Sequence, residues 1–212
     1  MEILNEISEK LQAGSAPKVR ELVTKALNDG ISAKEILGAL IDGMNVIGIK
    51  FKNNEVYVPE VLIAARAMNA GLTILRPILS ETGVKPVGKA IIGTVAGDLH
   101  DIGKNLVRMM LVGAGLEVID LGVDVSPDKF VQAVKENNPD IVCMSALLTT
   151  TMPGMKKTID ALGKEGLRDR VTVMIGGAPV TFNYAKEIGA DIYEPDAASA
   201  AQTARKVVLA KN

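Results

Sequence analysis

The hydrophobic pattern of the chain changes its period between residues 81 and 89, and this change most limits the folds open to it. Residues 1–81 carry only the spacing of amphipathic helices, whereas residues 89–212 alternate short apolar runs with helical segments. The intervening residues 82–88 include Gly83 and Gly88 and predict a short linker that can act as a hinge. We therefore expect a two-domain α plus α/β protein, divided at this linker.

The helical half predicts four amphipathic helices joined by short loops. Ser32 and Glu35 form a capping-box pattern that opens the third helix, and Pro59 suits the first turn of the fourth. The fourth helix is expected to run to about residue 80, although Pro77 can kink it or end it early. This arrangement is typical of a four-helix bundle.

The second half alternates strands and helices, which predicts a flavodoxin- or Rossmann-like, doubly wound five-stranded parallel sheet. The expected strands are 89–96, 116–121, 140–145, 171–175 and 190–193, and a last helix is expected at 197–210. Such sheets bind ligands beyond the carboxyl ends of their strands. A flavodoxin-like strand order would place the first and third strands side by side.

Composition and charge exclude several functions. The net charge is −1, no basic cluster occurs and aromatic residues are scarce, so we expect no nucleic-acid partner. No run of about 18 apolar residues occurs, and the first residues do not form a signal peptide, so we expect no membrane partner and a cytoplasmic protein. Cys143 is the only cysteine, which excludes an intrachain disulfide and a cysteine-built metal site.

Unusual residues follow several of the predicted strands. His100, the only histidine, follows the first strand together with Asp98, and this pair suits a metal ligand oriented by a carboxylate. A serine and a run of hydroxyl residues, 149–151, follow the third strand, and Gly176 and Gly177 follow the fourth. The loops therefore offer a metal ligand, hydroxyl groups and glycines that permit close backbone approach.

Simpler interpretations of these residues stay open at this point. A lone histidine is more often solvated or packed than bound to a metal, a Gly-Gly pair is usually a turn, and threonines can cap a helix. A flavodoxin-like nucleotide or flavin binder is also possible from the fold. However, the glycine motif of dinucleotide-binding folds is absent after the first strand, and aromatic residues are lacking near these loops.

The spacing of the motifs carries a resemblance. Asp98-x-His100-x-x-Gly103, then Ser145-x-Leu147, then Gly176-Gly177 resemble the corrinoid-binding signature of cobalamin-dependent methyltransferases and mutases. The helical half resembles the cap domain of the methyltransferase branch, as in cobalamin-dependent methionine synthase. Over its whole length the chain resembles the corrinoid protein of a three-component methyltransferase system.

This resemblance implies roles for individual residues. His100 would be the lower axial ligand to cobalt, Asp98 would hydrogen-bond its other ring nitrogen, and Thr151 stands where the family usually has a serine in this relay. Phe51, Val58 and Val61 would cover the upper face of the corrin, although ordinary bundle core is the alternative for them. The other residues implied to contact the cofactor or its nucleotide tail are Leu99, Asp101, Ile102, Gly103, Ser145, Leu147, Thr149, Gly176, Gly177, Ala178, Tyr193, Asp196 and Ala197.

The resemblance also implies a function and partners. The chain would carry a methyl group on a cobalamin or related corrinoid, from a substrate-specific methyltransferase to a second methyltransferase that uses coenzyme M or a tetrahydrofolate-type pterin. A reductive activase would be a further partner. The alternatives within the family are a corrinoid sensor without turnover and a mutase subunit, although mutases place a barrel rather than helices over the corrin. Neither the methyl donor nor the acceptor follows from the sequence.

Overall fold

A computed structural model describes residues 2–211. The chain divides into two compact units. One contains the residues up to Pro86 together with Gly113–Gly115, and the other contains Val87–Val112 and the residues from Leu116 onward. The first unit is helical, and the second contains the sheet.

The helical unit is the expected four-helix bundle. Its helices are α1 Glu2–Gln12, α2 Ala16–Asn28, α3 Ala33–Lys52 and α4 Val58–Glu81. The predicted capping box is present, since Ser32 Oγ accepts from the Glu35 backbone N–H at 3.3 Å and Glu35 Oε2 accepts from the Ser32 N–H at 3.2 Å. The core contains fully buried side chains of α1, α3 and α4, including Ile7, Leu11, Leu40, Met44 and Leu75.

Helix α4 does not end early at Pro77. It continues for another turn to Glu81, and the Thr82 N–H closes that turn on the Ile78 carbonyl at 2.9 Å. Leu79, in this last turn, is buried. Proline has no backbone N–H, so one helical hydrogen bond is missing at Pro77. The burial of the last turn compensates for this loss and allows the helix to continue.

By length and composition alone, α4 is long and apolar enough to cross a membrane. However, Arg66, Asn69 and Arg76 interrupt its sequence, and the helix packs against α2 and α3. The core helix of a bundle has the same length and composition, so the place of α4 in the bundle explains its apolar character.

The second unit is a five-stranded parallel sheet with helices between its strands. Its elements are β1 Lys89–Thr94, α5 Ile102–Gly113, β2 Glu117–Asp120, α6 Pro127–Asn137, β3 Ile141–Ser145, α7 Pro153–Lys164, a short 3-10 helix Arg168–Arg170, β4 Thr172–Gly176, α8 Phe182–Ile188, β5 Ile192–Tyr193 and α9 Ala197–Lys211. The strand order is β2-β1-β3-β4-β5, which confirms the predicted flavodoxin-like order.

Register within the sheet brings the carboxyl ends of three strands together. Thr94 of β1 lies beside Ser145 of β3, which in turn lies beside Gly176 of β4. Strand β1 ends two residues before its predicted end, because Gly97 has a φ of +81° and turns the chain there. The loops that follow β1, β3 and β4 therefore begin side by side.

The two glycines of the predicted linker each have a structural task. Gly83 has a φ of +70° and ends α4, where the Val84 N–H bonds the Leu79 carbonyl at 2.9 Å. A Cβ on Gly88 would lie 2.2 Å from Val208 Cγ1, so this glycine is needed for packing in the α/β unit. Both glycines therefore have a local structural role, and a hinge in this linker stays a prediction.

Candidate functional site

Asp98 lies at the centre of the loop between β1 and α5. Its side chain is fully buried, and both carboxylate oxygens accept hydrogen bonds. Oδ1 accepts from His100, through the ring Nδ1 at 2.7 Å and through the backbone N–H at 3.1 Å. The carboxylate thus fixes both the backbone and the ring of the neighbouring histidine.

The second oxygen of Asp98 binds the loop that follows β3. Oδ2 accepts from the Leu147 N–H at 2.7 Å, from the Leu148 N–H at 3.3 Å and from Thr151 Oγ1 at 2.7 Å. The Thr151 hydroxyl also lies 2.9 Å from the Leu148 carbonyl, but a carboxylate oxygen is the stronger acceptor for its single proton. Asp98 therefore joins the two loops at the centre of the sheet edge.

These hydrogen bonds keep Asp98 ionised. Burial alone would raise the pKa of its carboxyl, but the bonds from Thr151, Leu147 and His100 outweigh this effect. Together they hold the pKa of Asp98 well below its usual range. An ionised carboxylate can only accept hydrogen bonds, so Nδ1 of His100 is the donor and carries the ring proton.

His100 consequently presents a free lone pair at Nε2. Its side chain is 51% exposed, so this nitrogen is accessible to a ligand. Within residues 2–211, no group of three or more His, Cys, Asp or Glu side chains could hold a metal ion. One imidazole supplies one ligand, so His100 suits a metal whose other positions are filled by a group it arrives with, such as a macrocycle.

Large apolar side chains are exposed on the same two loops. Leu99 is 72% exposed and Ile102 is 78% exposed, and Leu147 and Leu148 are also exposed. Burial of such side chains against an apolar ligand is favourable, and exposed apolar side chains on neighbouring loops indicate a candidate binding surface. Together with the histidine, they fit a flat, largely apolar macrocycle that carries a metal.

The fold itself requires glycine at only one of the three motif glycines. A Cβ on Gly177 would lie 1.9 Å from the Ala146 carbonyl oxygen, and its φ is +138°, so the fold itself requires glycine there. A Cβ on Gly103 or on Gly176 would meet nothing within 4 Å. The protein does not need glycine at these two positions, whereas a ligand that approaches the backbone closely would.

The remaining loop residues take up varied positions. Thr149 and Ala178 are exposed, and Asp101 is exposed and accepts from the Asn105 amide at 2.9 Å. Tyr193 packs against the core of the α/β unit. Asp196 accepts from the Ser199 N–H and hydroxyl, both at 2.8 Å, at the start of α9. The bonds of Asp196 are those of a helix cap, and Ala197 beside it is buried.

The residues predicted to cover the cofactor lie in the helical unit. Phe51 lies near the end of α3, and Val58 and Val61 lie in the first turns of α4. Val61 is fully buried, and Phe51 and Val58 are partly buried. Their covering role stays a prediction.

One ion pair with a buried lysine was not expected from the sequence. Lys104, in the first turn of α5, is buried, and its Nζ lies 2.6 and 2.7 Å from the two carboxylate oxygens of Asp120. Burial raises the pKa of Asp120, but the hydrogen bonds from Lys104 and the Gly122 N–H, together with the charges of Lys104 and Arg108, lower it overall. The pair fastens the start of α5, directly after the His100 loop, to the end of β2. A lysine in the first turn of a helix, opposed to the helix dipole, was the signal that could have indicated it.

Comparison with known proteins gives two family matches. Residues 88–203 match the family described as B12 binding domain, and residues 3–76 match a second family with the same description. The chain is 42% identical to dimethylamine corrinoid protein 2 of Methanosarcina acetivorans, over 99% of this chain and 98% of that protein.

Two solved structures are also similar. A cobalamin-binding protein from Desulfitobacterium hafniense has a TM-score of 0.80 and 34% identity, covering 96% of this chain and 98% of that one. A chain of the methanol:cobalamin methyltransferase complex of Methanosarcina barkeri has a TM-score of 0.87 and 28% identity, covering 98% of this chain and 80% of that one.

Proposed function

Because the chain belongs to the corrinoid proteins with B12-binding domains, we propose that it carries a methyl group on a corrinoid between methyltransferases. The observation that supports this most directly is the buried Asp98 carboxylate, which holds the Nδ1 proton of His100 and leaves Nε2 free. When bound, the cobalt of the corrinoid supplies the site to which a methyl group is reversibly attached. His100 Nε2 would be the lower ligand of this cobalt.

Asp98 and Thr151 set how strongly His100 donates. The Asp98 carboxylate accepts the Nδ1 proton at 2.7 Å, which fixes the tautomer and increases the electron density on the ring. The Thr151 hydroxyl donates to the other oxygen at 2.7 Å and offsets part of the carboxylate charge. Thr151 therefore provides the hydroxyl that the family usually takes from serine.

The open space beside the glycines would receive the nucleotide tail of the cofactor. Ser145 and Gly176 lie side by side at the ends of β3 and β4, and a Cβ on Gly176 would extend into unoccupied space. Leu147, exposed on the neighbouring loop, supplies an apolar contact. The same reasoning assigns Gly103 to close approach of the corrin itself.

A change in the position of the helical unit would expose the cofactor to each partner. Phe51, Val58 and Val61 would cover its upper face between transfers, which limits oxidation. The linker of residues 82–88, which includes Gly83 and Gly88, is the proposed hinge for this change.

The proposed partners are methyltransferases. The relative named above is a dimethylamine corrinoid protein, so the methyl donor we propose is a methylamine presented by a substrate-specific methyltransferase. A second methyltransferase would pass the methyl group to coenzyme M or a tetrahydrofolate-type pterin, and a reductive activase would restore the reduced cofactor. The cytoplasm is the proposed location of these steps.

Reconstitution with a cobalamin tests this function. Wild type, His100→Ala and the exposed control Lys157→Ala are incubated with methylcobalamin and desalted, and their visible spectra are recorded. Wild type and the control should retain about one corrinoid per chain, and His100→Ala should retain much less after desalting. Equal retention by wild type and His100→Ala would contradict the assignment of His100, and no retention by wild type would contradict corrinoid carriage.

A further inference from the structure

We propose that Thr94 and Asp124 are positioning residues that fix the direction of the His100 imidazole before any cofactor binds. Neither residue belongs to the motifs that carry the family resemblance. The inference rests on the proposed function, because it concerns how His100 is presented to a corrinoid. It is carried by hydrogen bonds that reach the loop from β1 and from the segment between β2 and α6.

The Thr94 side chain forms a hydrogen bond with the backbone carbonyl of His100. Its side chain is buried, and its Oγ1 donates to the His100 carbonyl oxygen at 2.9 Å. Its backbone N–H donates to the Gly122 carbonyl at 3.0 Å, which ties the end of β1 to the β2–α6 segment. Asp98 holds the N–H of the same histidine, so both peptide groups that set the direction of its Cβ are bound.

Asp124 holds the residues that precede His100. Its Oδ1 accepts from the Gly97 N–H at 2.7 Å, and its own N–H donates to the Asp98 carbonyl at 3.0 Å. Asp124 has a φ of +52°, a conformation that costs free energy for most residues and is better tolerated by Asp, Asn and Gly. The strained conformation is what allows the two bonds to close on neighbouring residues of the loop.

The two residues act on the ring through the backbone. The 2.7 Å bond between His100 Nδ1 and Asp98 Oδ1 requires that residues 98 and 100 keep their relative orientation. Without the bonds from Thr94 and Asp124, this short loop has fewer constraints and the ring samples more directions. A side chain that must coordinate a metal from one direction binds it less tightly when the orientation of that side chain is not fixed in advance.

Matched variants separate positioning from folding. Thr94→Val removes the hydroxyl with almost no change of shape, whereas Thr94→Ser keeps it. Asp124→Gly removes the carboxylate and accepts the positive φ, whereas Asp124→Asn keeps an acceptor oxygen and tolerates the same φ. Asp124 is exposed, so Asp124→Gly carries the test if the buried Thr94→Val fails to fold.

The first readout needs no cofactor. Because His100 is the only histidine, one set of imidazole signals in a long-range ¹H–¹⁵N spectrum reports its tautomer directly. Wild type, Thr94→Ser and Asp124→Asn should show protonation at Nδ1 alone. Thr94→Val and Asp124→Gly should show a mixture of the two neutral tautomers, as expected for a ring that leaves Asp98 part of the time.

The second readout is binding of cobinamide, a corrinoid without the nucleotide tail, in buffer free of imidazole. Nitrogen ligation, seen in the visible spectrum, can then come only from His100. Affinity should fall about tenfold in Thr94→Val and Asp124→Gly and stay near wild type in the conservative variants. Wild-type tautomers and wild-type affinity in both disruptive variants would overturn the inference. Failure of wild type itself to bind cobinamide would count against the proposed function instead, and the tautomer spectra would still decide the positioning role.

Discussion

Replacement of Thr151 by valine tests whether the hydroxyl stabilises the buried charge of Asp98. Valine has nearly the same shape as threonine, so no cavity is created and the change removes only the hydroxyl. In the wild type this hydroxyl donates to Asp98 Oδ2 at 2.7 Å. In Thr151→Val the same oxygen keeps the Leu147 N–H at 2.7 Å and the Leu148 N–H at 3.3 Å.

The expected loss of folding stability in Thr151→Val depends on the charge of Asp98 and on the hydrogen-bond donors that remain around it. A hydrogen bond to a charged group contributes about 1.5–3 kcal/mol to stability. Because two N–H groups still serve Oδ2, we expect the lower end, about 1.5 kcal/mol at pH 7. Since 1.36 kcal/mol corresponds to one pKa unit, the pKa of Asp98 in the folded variant should rise by about one unit.

The stability difference between wild type and Thr151→Val should depend on pH in one direction. The pKa of Asp98 is lowered on folding, so its contribution to stability is complete above the unfolded-state pKa of about 3.9. That contribution is lost as the pH falls through the folded-state pKa. The difference between wild type and Thr151→Val should therefore be constant from pH 5 to 8 and shrink in strong acid.

Urea unfolding followed by NMR at His100 measures this difference. The single histidine lies in the α/β unit, so its signals report the unfolding of that unit. Thr151→Ser is the control, since it keeps the hydroxyl and should lose less than half as much stability. Equal unfolding free energies for wild type and Thr151→Val at pH 7 would refute the assigned hydrogen bond.

Three further changes test other parts of the α/β unit. Gly176→Ala should fold normally, because its Cβ would meet nothing within 4 Å, yet bind cobalamin more weakly while keeping binding of tail-less cobinamide in equilibrium dialysis. Equal loss of both corrinoids would contradict a slot for the nucleotide tail. Lys104→Met should lower the free energy of urea unfolding by about 1 kcal/mol, since Asp120 is partly exposed and keeps the Gly122 N–H and the nearby Arg108, and an unchanged free energy of unfolding would contradict this role. Burial raises the pKa of Cys143 to about 12, so iodoacetamide at pH 8 should label it only as the unit unfolds, and rapid labelling of the native protein would contradict its burial in β3.

The architecture follows from the sequence because two periodicities specify it. The 3.6-residue spacing before residue 81 predicts the bundle, and short apolar runs separated by helices predict a parallel sheet. Pro77 shows the limit of this reasoning, because burial of the turn that contains Leu79 compensates for a missing backbone hydrogen bond. Such compensation depends on packing partners that the local sequence does not contain.

The proximity of the loops after β1 and β3 was predictable for a topological reason, whereas the pairing of Asp98 with Thr151 was implied only by the family resemblance. Once the strand order is fixed, the loops that follow β1 and β3 must lie side by side, so Asp98 and Thr151 come within reach although 53 residues separate them. The positions of Thr94 and Asp124 could not be predicted in this way. Their bonds go to backbone groups, and almost any loop conformation offers backbone groups, so no side-chain pairing marks them in the sequence.

The structure also explains why orientation of the histidine and stability of the unit are linked. Asp98 is fully buried, and a buried carboxylate is tolerated only when several donors satisfy it. Those donors come from His100 on one loop and from residues 147–151 on another, so the charge that orients the imidazole also holds the two loops together. Changes at Asp98 itself must therefore alter folding and ligation at once. Thr151, Thr94 and Asp124 each touch one part of this network, so their variants are the ones that can separate the two effects.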